Sequence, residues 1–156
     1  MRTTKQKTIS YILIIASILL IAGLGSLFVN LGMEWFEGLN KPTQFVPNFL
    51  IPVVWTIIYT IFAFVLCFWT AKEKLPKDIL ILLIANGVFN ILWCLIFFTL
   101  NQTFLGLVSI IFLLILAYLL VGKIKKYNKV YYYLTAIYPV WVSVATCLNL
   151  ALWILN

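Results

Sequence analysis

Residues 79–100 read ILILLIANGVFNILWCLIFFTL, a run with no charged side chain. Its length matches the roughly 20 residues needed to cross a hydrocarbon core about 30 Å thick. Within it Asn86, Asn90, Trp93 and Phe97 follow i, i+4, i+7 and i+11, so they share one helical face. An amide in hydrocarbon without a partner costs several kcal/mol. Asn86 and Asn90 must therefore face a bundle interior or a cavity. The stretch predicts a membrane-spanning helix with one polar, aromatic inner face.

Four further apolar runs flank it, at about 9–29, 49–71, 104–122 and 130–155. The fold class expected is an all-α membrane protein, a single bundle of five transmembrane helices over residues 1–156. A chain of 156 residues would ordinarily suggest one soluble domain. Its 65% hydrophobic and 10% charged residues, with a mean hydropathy of +1.12, leave too little polar surface to cover one. Asn101-Gln102-Thr103 is so short a turn that the spans on either side must be antiparallel neighbours. An outer loop is expected over 30–48. Pro52 falls in a first helical turn, where its missing N–H is tolerated. Asp78 is a candidate N-cap, and Pro139 should kink the fifth span near its start.

The net charge of +7 could suggest nucleic acid as a partner, but its placement argues otherwise. Arg2, Lys5 and Lys7 precede the first span, Lys72, Lys74 and Lys77 follow the second, and Lys123, Lys125, Lys126 and Lys129 follow the fourth. Those segments share one side of the membrane and hold ten of the eleven basic residues; Lys41 alone falls opposite. This positive-inside pattern places the N-terminus in the cytoplasm and the C-terminus outside, with membrane lipids rather than nucleic acid as surroundings. Residues 123–129 are also a candidate anionic-lipid patch. A basic start before an apolar run also fits a signal peptide, but the run is long for one and no clean cleavage site follows.

The spans hold no ionisable carboxylate, and the chain has no histidine. Proton relays and ion-coupled carriers ordinarily need such groups, and acid–base catalysis has nothing to work with. Cys67, Cys94 and Cys147 lie inside predicted helices without a CxxC, which suits small buried apolar residues rather than a metal site or disulfide. Trp35, Trp69 and Trp153, near span ends, fit the aromatic belt at headgroup level. Trp93 lies too deep for that. Trp55, Tyr59 and Phe62 share one face of the second span, and Trp141, Ala145, Leu148, Asn149 and Leu152 one stripe of the fifth. For the asparagines, interhelical hydrogen bonds are the plain reading. A pocket walled by these faces would be apolar and flat-sided with a few neutral donors, suited to a large planar hydrophobic ligand.

The same residues resemble the tryptophan-rich sensory protein family, also called the translocator protein or peripheral benzodiazepine receptor family. The likeness rests on Trp35-Phe36, Lys41-Pro42, Pro52-Val53-Val54-Trp55-Thr56 and Tyr59, then on Asn90-Ile91-Leu92-Trp93 with Phe97-Phe98, then on Tyr138-Pro139, Trp141, Ala145 and Leu148-Asn149. The sequence departs from the family pattern at Gln44 (an aromatic position), Val46 (a proline) and Cys94 (a serine). The resemblance implies a receptor or sensor, commonly dimeric, that binds porphyrin-like tetrapyrroles, benzodiazepine-type ligands and, in some members, sterols. Carried over by position, Phe36, Trp55, Tyr59, Asn86, Asn90, Trp93, Trp141, Ala145 and Leu148 would bind ligand, with porphyrin or haem as ligand rather than cofactor. Two alternatives stand beside this. One is transport of hydrophobic metabolites such as porphyrins. The other is light-dependent porphyrin degradation using Trp55 and Trp141. The setting implied is a bacterial plasma membrane. The cholesterol-type pattern Val121…Tyr127…Lys129 carries no weight.

Overall fold

Thr3 opens the first helix with a reciprocal cap: its hydroxyl accepts from Gln6 N at 3.3 Å, while the Gln6 side chain accepts from Thr3 N at 3.1 Å. The computed structural model describes residues 3–43 and 46–156. Arg2 and Gln44 thus lie outside the described residues. The elements are α1 (Thr4–Leu31), α2 (Met33–Glu37), α3 (Leu50–Lys72), α4 (Lys77–Cys94), a π-helical turn (Leu95–Thr99), α5 (Thr103–Tyr127), α6 (Lys129–Thr135) and α7 (Ile137–Leu155). No strand occurs among the described residues. Five helical stretches, with α4 and the π-turn as the third and α6 and α7 as the fifth, are long and apolar enough to span a membrane.

The first span is longer than the expected run, starting at Thr4 rather than near residue 9. The loop after the first span begins at Gly32 and contains the short helix α2. Pro52 lies in the first turn of α3. Asp78 is not an N-cap: Pro76 holds that position, and Asp78 sits in the first turn with Oδ1 accepting from Ile79 N at 2.9 Å. The fifth span breaks at Ala136, three residues before Pro139. Pro139 has no N–H to offer the Thr135 carbonyl four residues back, and its ring crowds that carbonyl.

Around the bundle α1 contacts α3 and α4, α4 contacts α5, and α5 contacts α6 and α7. The ring closes where α6 meets α3; α7 touches α3 more thinly. Three glycines let the elements approach. A Cβ on Gly87 would meet Ile21 Cδ1 at 2.7 Å, and one on Gly106 would meet Phe97 Cδ2 at 2.6 Å. A Cβ on Gly32 would collide with the backbone of Phe98. The π-turn puts adjacent Phe97 and Phe98 into the core, edge to face at 4.9 Å. Its wider winding shows in Leu100 N donating to Leu95 O at 2.9 Å. Thr99 Oγ1 then donates to Phe28 O at 2.9 Å, tying the turn to α1. Asn101 follows at φ 57°, a left-handed conformation asparagine tolerates.

Two expectations fail here. Trp69 is 1% exposed, not a belt residue. Its Nε1 donates to Glu73 Oε1 at 2.9 Å, and its ring packs on Tyr127 and Tyr131. Cys147 is exposed on the outside of α7 and Cys67 is half-buried; only Cys94 is a buried apolar residue.

Gly32→Ala should lower stability by about 1–3 kcal/mol or more, because backbone cannot yield as a flexible side chain can. Gly122, whose added Cβ meets nothing within 4 Å, should gain about 0.5–1 kcal/mol on mutation to Ala from helix propensity. Thermal unfolding of both variants in detergent checks the contrast.

Candidate functional site

Helix α4 carries its polar residues toward three neighbours. Asn86 is buried, and both its amide nitrogen and its oxygen are engaged. Its amide nitrogen donates to Leu82 O at 2.7 Å and, across to α5, to Leu116 O at 3.2 Å. Its Oδ1 accepts from Tyr138 Oη of α7 at 3.0 Å. One turn on, Asn90 Oδ1 accepts from Tyr59 Oη of α3 at 3.1 Å. Trp93 Nε1 donates to Asn149 Oδ1 of α7 at 3.2 Å, and the Asn149 amide nitrogen donates to Ala145 O at 2.9 Å. The plain interhelical reading therefore holds for all three asparagines. The amide nitrogen of Asn90 donates to nothing among the described residues.

Trp55 of α3 stands at the centre of the aromatic face. It stacks on Tyr59 at 5.7 Å and lies 6.2 Å from Trp93 and 6.3 Å from Tyr138. Phe62 meets Tyr138 edge-on at 5.4 Å. These rings and amides border a cavity of about 80 Å³, with Trp55, Tyr59 and Phe62 on one side, Asn86 and Asn90 on another, and Tyr138 on a third. Ile18 and Ile21 of α1 line it as well.

Of the nine residues named from the sequence, Trp55, Tyr59, Asn86 and Asn90 line this cavity. Trp93 does not border it but packs behind, against Trp55 and, at 6.4 Å, Phe97. Phe36 is buried at the other end of that aromatic column, 6.3 Å from Phe97 and 5.3 Å from Phe98. Ala145 is buried on the face of α7 that carries Tyr138 and Asn149. Trp141 and Leu148 are half-buried beside that face. Ser143, about 200° around the helix from Trp141, bonds to Tyr118 of α5 at 3.2 Å, so Trp141 stands on the flank turned away from that contact. Its indole nitrogen is buried and meets no acceptor among the described residues.

Sequence reasoning left out Tyr138, Ile18 and Ile21. Tyr138 had a signal: it precedes Asn149 by eleven residues and so shares its face. The isoleucines had none, because α1 is apolar all round. Above the site, Lys41 Nζ donates to Phe36 O at 2.8 Å and Glu37 O at 3.0 Å, lying 4.8 Å over the Phe36 ring. Asn40 N donates to Asn156 Oδ1 at 2.9 Å, and Asn156 Nδ2 returns a bond to Asn40 O at 3.0 Å, fastening the loop to the end of α7.

A double-mutant cycle of Trp93→Phe with Asn149→Leu should give a coupling of about 0.6–2 kcal/mol, the range for polar pairs between membrane helices. Additive losses of stability would contradict the bond.

A sequence model of the TspO/MBR family matches residues 12–154. The chain is 31% identical over 144 residues to the tryptophan-rich protein TspO of Archaeoglobus fulgidus, covering 91% of this chain and 94% of that one. It is 30% identical over 136 residues to the tryptophan-rich protein TspO of Chlorobaculum tepidum, covering 85% and 86%. With protein CrtK of Rhodobacter capsulatus it shares 25% identity over 126 residues, 78% of each chain. Near-complete coverage by the family model, together with five membrane-spanning helices, makes this chain an integral multi-pass membrane protein of the TspO/MBR family.

Proposed function

We propose that this protein is a membrane receptor or sensor for porphyrin-like tetrapyrroles and similar large hydrophobic ligands, held against the Trp55–Tyr59–Tyr138 wall. The observation that carries this reading is the convergence of aromatic rings and neutral amides from three helices on one cavity without a single charge. Flat rings would stack on the wall, and the free amide hydrogens of Asn90 would meet a ligand acceptor. Trp141 lies outside the cavity lining, but its buried indole N–H has no acceptor among the described residues, and a ligand reaching past the present lining could recover the roughly 1–3 kcal/mol that an unmet donor costs. Porphyrin or haem is then a ligand and not a cofactor.

The cavity of about 80 Å³ is far below the roughly 300–1,000 Å³ of small-molecule sites. Binding therefore requires a wall to move, and α1 is the candidate because it buries the smallest share of its length of the five spans. The lysines favour a plasma-membrane orientation with a cytoplasmic N-terminus. A homodimer completes the proposal; light scattering of the detergent-solubilised protein would measure it.

Protoporphyrin IX should quench tryptophan fluorescence saturably in darkness. Trp55→Ala should weaken binding about tenfold or more, as loss of a central aromatic anchor does, and Asn90→Ala less. Trp153→Phe, at the bundle periphery against Phe104, should leave affinity unchanged. Equal affinity in wild type and Trp55→Ala would reject the pocket. Turnover under illumination would favour photodegradation, and flux in proteoliposomes would favour transport. A second check uses the Gly25 position, whose added Cβ would lie 3.6 Å from Cys94 Sγ. Gly25→Cys should form a disulfide that pins α1 to α4 and blocks tetrapyrrole binding until reduced. Undiminished binding in the oxidised state would show that α1 need not move.

A further inference from the structure

We infer that the junction of α5 and α6 is a selective site for an anionic phospholipid headgroup, independent of the cavity and of what binds there. Nine described lysines and two carboxylates, Glu73 and Asp78, lie at this end of the bundle. Both carboxylates are already engaged. Asp78 accepts from Lys123 Nζ at 3.2 Å and from Tyr127 Oη at 3.1 Å, and Glu73 accepts from the buried Trp69 indole. Eight of the nine lysines (all but Lys123) consequently have no acidic partner among the described residues.

Three of those eight, Lys125, Lys126 and Lys129, fall within five residues of sequence with no acid between them. Their grouping is held by structure. Asn128 ends α5 and caps α6, its side chain accepting from Tyr131 N at 3.0 Å, so the last turn of one helix and the first of the next stay together. Lys125 Nζ lies 5.1 Å over the Tyr132 ring, which fixes one ammonium beside the first turn of α6. All three lysines are exposed, and Tyr133 and Val130 are exposed beside them. By contrast, Lys72 and Lys74 flank Glu73.

The occupant follows from position and charge. Since α5 and α6–α7 are both membrane-spanning, their junction lies where hydrocarbon gives way to headgroups. Tyrosine and valine suit the apolar side of that boundary and lysine the polar side. A phosphate diester in a headgroup of net negative charge complements three unpaired ammonium groups. A phosphatidylcholine headgroup brings its own cation and complements them less well. General positive-inside placement would instead make the α3–α4 and α5–α6 loops equivalent.

The test is native mass spectrometry of the purified full chain, titrated with phosphatidylglycerol against a phosphatidylcholine background. Wild type should retain phosphatidylglycerol saturably. The triple variant Lys125→Gln, Lys126→Gln, Lys129→Gln should bind it about tenfold or more weakly, given three lost charges near the surface. The matched triple Lys72→Gln, Lys74→Gln, Lys77→Gln should retain it. Exchanging the first three lysines for arginine keeps the charge and the membrane topology, and should also retain it. Equal losses in the two glutamine triples, no loss in either, or loss in the arginine triple would each overturn the site.

Discussion

Hydrocarbon offers no solvent to satisfy an amide, and this constraint fixes how the helices of the bundle sit against one another. Asn86, Asn90 and Asn149 each need a partner from another helix, and each has one in Tyr138, Tyr59 or Trp93. Each bond adds on the order of 0.6–2 kcal/mol, whereas an orphaned amide in lipid costs several. The asymmetry means the pairs act mainly on register. Sliding α4 by one turn, about 5.4 Å, would unpair several polar groups together, so α3, α4 and α7 have one compatible alignment. The aromatic column from Tyr138 through Trp55 and Trp93 to Phe97 and Phe36 is laid down on that alignment.

The end of the bundle at the π-turn uses a different device. There the backbone itself departs from regular helix, through the π-turn and the left-handed Asn101, and the chain closes over it at Gly32. A π-turn leaves carbonyls to be met at longer range, which Leu100 N and Gln102 N help to settle by donating to Leu95 O and Ile96 O, while the Thr99 hydroxyl donates to α1. Lys41 finishes the arrangement by capping the carbonyls of α2 while its charge rests on Phe36. The single basic residue on this side thus has a structural use, which its isolation in the charge count does not reveal.

The five spans and the inner faces of α3, α4 and α7 were legible in the sequence because an amide in an apolar run has few places to point. Trp69 was misread because its nearness to a helix end matched a belt residue. Only the fold shows Glu73 one turn away taking its N–H and two tyrosines covering its ring. The π-turn had no sequence signature, as it arises from how Phe97 and Phe98 meet the core. Tyr138 was legible by spacing, since eleven residues from Asn149 is three helical turns. Ile18 and Ile21 were not, since a helix apolar on every side does not say which side faces protein.

That ambiguity of α1 has a mechanical counterpart. Around its middle α1 meets α4 through side-chain packing and glycine-permitted close approach, and Thr99–Phe28 is a polar tie at its C-terminal end. Packing against protein can be exchanged for packing against acyl chains, because lipid tails are as apolar as isoleucine. The amide pairs of α3, α4 and α7 cannot be exchanged that way, having no acceptor in the lipid to move to. A bundle built so separates two properties. The wall of rings and amides is held by hydrogen bonds between helices, whereas the isoleucines facing it contribute apolar packing. On the proposed reading, a cavity of about 80 Å³ is then compatible with a much larger ligand, and displacement of α1 would set the size admitted.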